Sequence, residues 1–524
     1  MSGLILSAAL FLPLFAVLAL AFAPAERAGA LSRTFAWIYA ALAAAVSVAA
    51  LVTPGGLAGA APTIRLGVSG FELVPRLFLD GRGAPFLLLL GLCPPIVFTL
   101  LRGVRSRDAS GAEPRSQDIA AWSLIFGLAG VFLVDSLLLF YLFWEAALVA
   151  VYFWIGLHGR RGRGDEGRAA AYPVLLRFVL FTLAGSLPML ASIAAVCATN
   201  FSDPGLQGLA ATVARLPEGV RGWVFFGFLL GFAVKLPLFG FHGWLRDTYN
   251  VAPPACRALL SAAMSKMGAF GLILVLAPAF SAELARFAPW LAGLAVAGAV
   301  YGGVLMLAQD RLTDLLAYAS LSHLSLLALG VFAAYAPTVA ASDAGPAAGT
   351  ITGLTGAVWL VLNHALIMAL LFALDARALR GGESPDRGLT SGLRALQPRL
   401  FAFLLLGVFA SASLPGLNNF PGEVLVFFTA WRLSPWVALL AGIGALVGAA
   451  ALVRLLHNVW LGAPSTETAA DEGAVAAAPD LGRAETALVL GLSALWLVLG
   501  LYPMLLLGPV GRAFSWIAAL GVTG

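Results

Sequence analysis

The chain consists of long apolar runs that recur from one end to the other, separated by short segments rich in Arg, Gly and Pro. An apolar run of about 18 residues or more is long enough to cross a hydrocarbon core roughly 30 Å thick. The pattern therefore predicts about fourteen transmembrane helices. Their predicted bounds are 3–23, 32–53, 84–101, 118–134, 136–157, 170–197, 222–245, 255–277, 289–308, 312–333, 351–376, 399–431, 434–461 and 484–510.

Two of the predicted spans contain helix-breaking residues near their middle. The seventh span contains Pro237 and Gly240, and the twelfth contains Pro415, Pro421 and Gly422. Proline lacks a backbone N–H and glycine weakens a helix, so both spans are predicted to be interrupted within the membrane. Interrupted spans at matching positions are typical of transporters built from inverted repeats. The alternative is that Pro and Gly are simply more frequent in membrane helices.

The spacing of the two interruptions predicts the organisation of the chain. Because they lie five spans apart, spans 4–8 and 9–13 are expected to form two five-helix repeats of opposite orientation. The fold class is therefore expected to be all-α and integral to the membrane. The predicted segments are an N-terminal three-helix segment at 1–117, the two repeats at 118–277 and 289–461, and a cytoplasmic loop with a C-terminal helix at 462–524.

The composition excludes a soluble protein. Hydrophobic residues make up 61% of the 524 residues and charged residues 11%, whereas a soluble domain carries about 25% charge. The cysteines lack metal-ligand spacing, and no glycine-rich nucleotide loop is present. We therefore expect no metal or other cofactor on this chain. We also expect no nucleic acid partner, because the arginine runs are short and flank apolar segments.

The distribution of arginine predicts the orientation. Most arginines outside the predicted spans lie in the loops that follow odd-numbered spans, for example at 102–115, 160–168 and 377–399. Short basic loops face the cytoplasm. Both termini are therefore expected on the periplasmic side of a bacterial inner membrane, with the loops at 377–399 and 463–483 in the cytoplasm.

The chain contains only two lysines, Lys235 and Lys266, and both lie inside predicted spans. Arginine stays protonated in proteins, whereas a desolvated lysine can release its proton near neutral pH. Two lysines inside the membrane of a chain that otherwise uses arginine therefore indicate proton binding and release. A structural ion pair with a buried carboxylate is the alternative.

Further ionisable residues lie inside the predicted spans. A charge at mid-membrane is costly, so Glu145 is a functional candidate that we expect to approach Lys235. Glu423 follows the second interruption, at a position expected to match the Lys235 region, where unwound backbone gives a proton donor or acceptor access to water. Asp135 is either an auxiliary group or an interfacial cap. Arg177 is permanently charged and is expected to influence Glu145 without carrying protons.

Two histidines are candidate proton relays. His323 lies on the tenth predicted span and His364 on the eleventh, between Lys266 and Glu423 in the expected arrangement. A histidine can relay a proton near neutral pH through either ring nitrogen. Each of the two could instead form only a hydrogen bond between helices. His242, which follows the first interruption, is assigned a structural role.

These residues stand in motifs that resemble a known family, the antiporter-like membrane subunits of respiratory complex I, which is related to Mrp-type cation/proton antiporters. The resemblance covers predicted spans 3 to 14. Glu423, where most relatives carry a lysine, resembles the subunit M/chain 4 branch of that family. The matching stretches are Phe143–Glu145, Lys235–Pro237, His242–Asp247, Ser265–Gly271, Leu316–His323, Asn363–His364, Asn419–Glu423 and Gly500–Pro503.

The resemblance implies a proton path in a proton-translocating NADH:quinone oxidoreductase, coupled to electron transfer elsewhere in the complex. The implied path residues are Glu145, Lys235, Lys266, His323, His364 and Glu423. Quinone, NADH and iron–sulfur clusters are then expected on partner subunits, with neighbouring antiporter-like subunits and the lipid bilayer around this chain. The alternatives are an Mrp-type sodium/proton antiporter subunit, a diverged paralogue in a hydrogenase-like complex, and a non-pumping structural subunit.

The sequence departs from the family motifs at several positions. Arg246 stands in place of a proline, and Arg257 stands where a serine is common. Thr313 and Asp314 replace a Lys-Arg pair, and Leu274 replaces an arginine. These changes leave the central charges of the implied path in place.

Overall fold

The computed structural model describes residues 2–60, 64–65, 72–73, 76–101, 104, 115–159, 164–199, 202–340, 348–378, 394, 397–457 and 479–515. Positions 463–478 of the predicted cytoplasmic loop at 463–483 lie outside the described residues. Most of the predicted loop at 377–399 also lies outside them.

Helices make up most of the described part of the chain. In the first half they are α1 (Ser2–Phe22), α2 (Ala25–Val52), α3 (Ala84–Leu100), α4 (Arg115–Leu133), α5 (Leu137–His158), α6 (Gly164–Ala198), α7 (Gly205–Val213), α8 (Glu218–Lys235), α9 (Leu245–Val251) and α10 (Pro254–Ala279). In the second half they are α11 (Ser281–Leu307), α12 (Leu312–Ala334), α13 (Pro337–Ala340), α14 (Ala348–Ala378), α15 (Pro398–Ser411), α16 (Phe420–Leu433), α17 (Pro435–Leu455), α18 (Arg483–Leu501) and α19 (Met504–Ala513).

Eleven of the described helices are long and apolar enough to cross a membrane. Three further apolar helices, α3, α15 and α19, are shorter. The prediction of a helical membrane protein is therefore confirmed.

The most enclosed helices are α10, α12 and α14. In their most apolar windows, 94%, 89% and 100% of the residues are buried inside the protein, against 28% for both α17 and α18. A helix that is apolar on all sides is surrounded by other helices or by lipid. Because α10, α12 and α14 carry Lys266, His323 and His364, these three residues lie on the innermost helices of the bundle.

The first interruption separates α8 from α9. Helix α8 ends at Lys235 and α9 begins at Leu245, with Pro237 and Gly240 in the connecting turns. Proline cannot donate the next helical hydrogen bond. Gly240 has a left-handed backbone with a φ of 87°, which a residue without a Cβ adopts at little cost. The chain therefore leaves the helix after Lys235 and resumes it in a new direction.

The second interruption separates α15 from α16. Helix α15 ends at Ser411 and α16 begins at Phe420, with Pro415 and Gly416 between them. Gly416 has a φ of 89°, and Ser413 also has a positive φ of 53°. Two left-handed residues within four positions are incompatible with a continuous helix.

The prediction that the second interruption extends to Gly422 is wrong. Since α16 begins at Phe420, Pro421 and Gly422 lie in its first turn. Proline is tolerated there because the first N–H groups of a helix have no acceptor within it. Gly422 permits close packing, because a Cβ at this position would lie 2.5 Å from an atom of the Trp359 ring.

The predicted last span at 484–510 is not one helix. Helix α18 ends at Leu501 and α19 begins at Met504. Pro503 lies between them, and a proline disfavours helical backbone at the residue before it, here Tyr502. The late Tyr-Pro pair therefore ends the span early.

Two small antiparallel sheets between α2 and α3 were not predicted. Strand β1 (Leu57–Ala60) pairs with β4 (Arg76–Leu79), and β2 (Ile64–Arg65) pairs with β3 (Glu72–Leu73). Strands of two to four residues are too short to show a clear alternation of apolar and polar positions.

Candidate functional site

Lys235 lies at the C-terminal end of α8, immediately before the first interruption. The residue is 2% exposed, and its Nζ lies 5.7 Å from the ring centroid of Trp144 and 5.9 Å from that of Phe178. Within the described part of the chain, Nζ has no hydrogen-bond partner. The ammonium group is thus stabilised by aromatic faces and by the negative end of a helix dipole.

Glu145 on α5 is the acidic residue whose charge acts on Lys235. The carboxylate and the ammonium do not form an ion pair within 4.0 Å, and Oε1 of Glu145 is buried without a hydrogen-bond partner among the described residues. Glu145 as a whole is half-buried, and the neighbouring Tyr141 interacts with it and with Ser186. A proton that moves between Glu145 and Lys235 therefore needs an intervening water molecule or a side-chain movement.

Lys266 is completely buried on α10, between two π-helical segments, Leu260–Met264 and Gly271–Leu276. Its Nζ donates to the Ser261 carbonyl at 2.7 Å and to the Ser265 hydroxyl at 3.2 Å. The third neighbour of Nζ is Nδ1 of His364, at 2.6 Å. All three ammonium hydrogens can thus reach a polar acceptor, and none of these acceptors is a carboxylate.

The π-helical segment before Lys266 explains the contact with Ser261. In an α-helix the backbone N–H of Ser265 would bond to the Ser261 carbonyl. Here that N–H points to the carbonyl of Leu260, as the wider π turn requires. The carbonyl of Ser261 accepts instead from the Ser265 hydroxyl at 2.8 Å and from the Lys266 ammonium.

His364 and His323 extend the polar line from Lys266. Their ring centroids lie 5.7 Å apart and the ring planes are nearly perpendicular, at 87°. When Lys266 is protonated, Nδ1 of His364 accepts a hydrogen bond and Nε2 carries the ring proton. This Nε2 is buried and has no hydrogen-bond partner in the described part of the structure. The pair therefore offers a proton donor beside a second imidazole.

A cavity connects His323 to Glu423. Its volume is about 230 Å³, and its lining includes His323, Ser411, Ser413 and Glu423. Since a water molecule occupies roughly 30 Å³, the cavity has room for several. His323 and Glu423 can therefore exchange protons through water.

Glu423 lies in the first turn of α16, after the second interruption. The side-chain amide of Asn419 donates to Glu423 Oε1 at 3.2 Å and to the Ser413 hydroxyl at 2.6 Å. The N-terminal end of a helix also favours negative charge. Glu423 thus has hydrogen-bond donors, a helix terminus and space for water, all of which suit a terminal proton donor or acceptor.

A network of hydrogen bonds ties the second interruption to α14. The indole Nε1 of Trp359 donates to the Asn418 carbonyl at 2.6 Å, and Nδ2 of Asn418 donates to Oδ1 of Asn363 at 2.7 Å. Asn363 in turn donates to the Trp359 carbonyl at 2.9 Å. Because Asn363 directly precedes His364, this network fixes the relay histidine relative to the interruption.

Asp135 and Asp203 cap each other's helices. Oδ1 of Asp135 accepts from the backbone N–H of Gln207 in the first turn of α7, at 3.0 Å. Asp203 accepts from the hydroxyl of Ser136 at 2.5 Å and from the backbone N–H of Leu137 at 3.0 Å, at the start of α5. Side-chain oxygens at these positions satisfy N–H groups that have no acceptor within the helix. This geometry matches the alternative of a cap for Asp135, and Asp203 was not predicted.

Arg177 forms an ion pair with Asp247, with 2.8 Å between Nη1 and Oδ2. Its side chain is 53% exposed. No ion pair or hydrogen bond joins Arg177 to Glu145 among the described residues, so its direct partner is one that the sequence did not indicate.

A second group of charges was missed. On α9, Nε of Arg246 donates to Oδ1 of Asp314 at 2.7 Å, and Nδ2 of Asn250 donates to the same oxygen at 2.7 Å. On α10, Nη1 of Arg257 donates to the hydroxyl of Thr313 at 2.7 Å. The signal for this group was available, because these positions are among those that depart from the family motifs.

Asp375 completes this second group. It lies near the end of α14, is 2% exposed, and accepts from the Thr313 hydroxyl at 2.7 Å. Nη1 of Arg257 lies 3.9 Å from its Oδ2. A buried carboxylate near the C-terminal end of a helix is unfavourable without a cation beside it. Arg257 therefore compensates Asp375.

The family model described as NADH:quinone oxidoreductase/Mrp antiporter, TM, matches residues 134–448. The chain belongs to this family. The matched stretch contains both interruptions and all the residues of the polar line, namely Glu145, Lys235, Lys266, His323, His364 and Glu423.

Two curated relatives in the family are named as subunits of NADH-quinone oxidoreductase. The chain is 32% identical to subunit M of Pseudomonas aeruginosa over 385 residues, which cover 72% of this chain and 70% of the relative. It is 34% identical to subunit 13 of Thermus thermophilus over 415 residues, which cover 78% of this chain and 80% of the relative.

Solved structures in the family have the same fold. A chain of respiratory complex I from Thermus thermophilus with bound NADH has a TM-score of 0.82 at 29% identity, covering 99% of this chain and 100% of that chain. A chain of the Mrp complex from a Dietzia species has a TM-score of 0.78 at 19% identity, covering 99% and 98%. The similarity to the Mrp chain, at 19% identity, is evidence of a shared fold only.

Proposed function

We propose that this chain translocates protons as an antiporter-like subunit of a complex I-type quinone oxidoreductase, coupled to electron transfer on partner subunits. The observation that carries the proposal is the buried contact between Lys266 and His364, which continues through His323 to the cavity at Glu423. A lysine whose acceptors are neutral can lose its proton without leaving a buried carboxylate unpaired. This favours proton exchange over a structural ion pair.

The proposed path starts at Glu145 and Lys235 and reaches Lys266 at the centre. When the Lys266 ammonium gives a proton to Nδ1 of His364, the amine becomes neutral and the imidazole becomes a cation. The imidazolium then releases its Nε2 proton towards His323 and the water in the cavity. This leaves neutral His364 with its proton on Nδ1, so the ring must return to the other tautomer before the next transfer.

The finer architecture is part of the proposal. We infer fourteen spans, with two inverted five-helix repeats at about 118–277 and 289–461. Support comes from the two interruptions, each of which contains a proline and a glycine with a φ near 90°. Both termini are proposed to lie on the periplasmic side of a bacterial inner membrane, from the arginine distribution. Arg177 is auxiliary to the path in this proposal, and Asp135 is auxiliary to it only in addition to capping α7.

The partners are proposed to be other membrane subunits of a complex I-like assembly, including neighbouring antiporter-like subunits. Quinone, NADH and iron–sulfur clusters are assigned to those partners. The family description also includes Mrp antiporters, so a sodium/proton antiporter subunit is the second candidate. Glu423 favours the first candidate, because it stands where most relatives carry a lysine and resembles the subunit M/chain 4 branch in this respect.

The test is proton and sodium transport in inside-out vesicles from the native host, after replacement of the chromosomal gene. Lys266→Met should lower redox-driven proton pumping by about a hundredfold, the low end of what a positioned proton-transfer group contributes. The complex should still assemble on native gels. Met267→Leu is the matched control, because it changes the next buried residue at nearly constant volume. Normal pumping by assembled Lys266→Met would overturn the proposal, and sodium uptake driven by a proton gradient would favour the second candidate.

A further inference from the structure

A second cavity lies beside the first interruption, away from Glu423. Its volume is about 240 Å³, and its walls include His242, Leu245, Arg246, Asp247, Ala317 and Tyr318. It therefore lies between the turn that follows Lys235 and the first half of α12. A cavity of this size holds several water molecules.

Arg246 belongs both to this cavity and to the charge group on α12. It lines the cavity, and its Nε donates to Asp314 at 2.7 Å. Asp314 lies three residues before Ala317, so both are on the same face of α12, one turn apart. The Arg246–Asp314 pair therefore stands at the margin of the cavity and joins α9 to α12.

The two members of the pair are held to very different degrees. The Asp314 side chain is 3% exposed and also accepts from Asn250, while Arg311 lies 3.7 Å from its second oxygen. The Arg246 side chain is 45% exposed. Thr313, the residue before Asp314, is bonded to both Arg257 and Asp375. The acidic member is thus buried among several partners, whereas the basic member is nearly half exposed.

The cavity ends at a histidine with an unused ring nitrogen. Nδ1 of His242 is buried without a hydrogen-bond partner in the described part of the chain, and its ring packs against Phe239 and Tyr301 at centroid distances of 5.9 and 5.4 Å. Water in the cavity would reach this side of the turn that contains Pro237 and Gly240. The cavity therefore lies between the partly exposed Arg246 and the turn of the first interruption.

We infer that the Arg246–Asp314 ion pair is a latch that controls access of water to this cavity, and that both residues are positioning residues for proton transfer at the first interruption. The role of the pair in proton transfer rests on the proposed function, whereas the latch itself rests on geometry alone. With the pair formed, Arg246 covers the cavity. With the pair broken, the Arg246 side chain turns away and the cavity opens, while Asn250 still joins α9 to Asp314.

The test measures cavity access without measuring transport. Ala317, a small and fully buried residue of the cavity wall, is replaced by cysteine in the full complex. Vesicles of both orientations are treated with a membrane-impermeant thiol reagent. Labelling of Ala317→Cys should be slow in the otherwise native chain and faster from one face after Asp314→Asn or Arg246→Gln. We expect an increase of about tenfold, which corresponds to roughly 1.4 kcal/mol.

Three comparisons make the result decisive. The double variant Arg246→Gln/Asp314→Asn should label no faster than either single variant, because each change opens the same latch. Asp310→Asn is the matched control, since it breaks the exposed Arg454–Asp310 pair four residues away and should leave labelling unchanged. Each variant without Ala317→Cys measures the background from Cys93, Cys197 and Cys256, which are all buried.

Unchanged labelling in assembled Asp314→Asn and Arg246→Gln complexes would overturn the latch, and so would an equal rise in Asp310→Asn. Additive effects in the double variant would also overturn it, because they would mean two independent contacts. Transport is scored separately. If labelling increases as expected but Lys266→Met does not lower pumping, the latch is supported and the proposed function is rejected.

Discussion

The interruption between α8 and α9 and the interruption between α15 and α16 have similar backbones. In each, a proline precedes a glycine whose φ is 87° or 89°. In each, a buried tryptophan donates its indole N–H to a main-chain carbonyl, from Trp244 at 3.1 Å in the first and from Trp359 at 2.6 Å in the second. The same local chemistry thus ends a helix in both places.

The charges that the two interruptions hold are opposite. Lys235 lies in the last turn before the first interruption, whereas Glu423 lies in the first turn after the second. Glu423 was expected to match the Lys235 region, and the two residues lie on opposite sides of their interruptions. Each charge is at the helix end whose dipole stabilises it. Lys235 faces aromatic rings without a hydrogen bond, and Glu423 borders a cavity with room for water. The charge at the first interruption is thus held against aromatic rings, and the charge at the second lies beside a cavity.

The largest expected effect comes from replacing Lys235, at the first interruption, by a residue that stays protonated. Lys235→Arg keeps a cation at the end of α8, but a guanidinium does not release its proton. We expect redox-driven pumping in vesicles to fall by about a hundredfold, while the complex still assembles. Native gels provide the assembly check. Near-normal pumping in an assembled complex would mean that Lys235 only supports the structure.

A smaller effect is expected from neutralising Glu423 at the second interruption. Glu423→Gln keeps the size of the side chain and an oxygen that accepts from Asn419, but removes the group that binds a proton. Water in the cavity can partly substitute, so we expect pumping to fall by about tenfold. Asn419→Asp offers a comparison, because it leaves Glu423 in place and adds a second carboxylate. If Glu423→Gln pumps normally, protons leave His323 by another route.

The common backbone geometry can be tested by removing both glycines. Gly240→Ala and Gly416→Ala should each cost about 1–2 kcal/mol, because a Cβ is disfavoured in the left-handed region. Neither meets a steric clash, since the nearest atom to a new Cβ is 3.8 Å away at Gly416 and beyond 4 Å at Gly240. The readout is the temperature at which the assembled complex is lost.

The control for both is Gly442→Ala in α17, where a new Cβ also has nothing within 4 Å and the residue is helical. It should stabilise the protein by about 0.5–1 kcal/mol. Equal losses at the two interruptions are expected. A loss at only one of them would show that the shared φ does not carry the same strain.

The smallest effect is expected at the two indole hydrogen bonds. Trp244→Phe and Trp359→Phe each remove one buried donor, for a cost of about 1 kcal/mol. Thermal loss of the assembled complex should shift by a similar amount in both. Pumping should be affected more by Trp359→Phe, because Asn418 and Asn363 connect that indole to His364. Trp290→Phe is the control, because Trp290 is 80% exposed.

The sequence indicated the candidate residues of the polar line because charged residues are rare inside a membrane. Lys266 and Glu145 stand out in apolar runs, since their presence in a membrane is costly without a function. Proline and glycine likewise indicated both interruptions. The contact between Lys266 and His364 joins residues 98 positions apart, and only the packing of α10 against α14 creates it.

Other features depend on tertiary structure that no local pattern records. The Arg246–Asp314 pair spans 68 positions, and the Ser136–Asp203 cap spans 67. Arg246 and Asp203 lie outside the predicted spans, and Asp314 and Ser136 lie at the first positions of theirs, where a polar residue is ordinary. The end of α18 at Leu501 was missed for a different reason. The apolar run continues past Pro503, so it was assigned to one span, although the proline disfavours helix at the residue before it.

The acceptor that Lys266 uses on Ser261 is a main-chain oxygen. Every amino acid supplies that oxygen, so no substitution at position 261 can delete it, and a mutational scan of side chains would not register it. The π-helical conformation of residues 260–264 determines whether this oxygen can accept from the Lys266 ammonium. The surroundings of the Lys266 ammonium therefore depend on the pitch of a helix. Insertion or deletion of a single residue in α10 would change it more than most replacements of its neighbours.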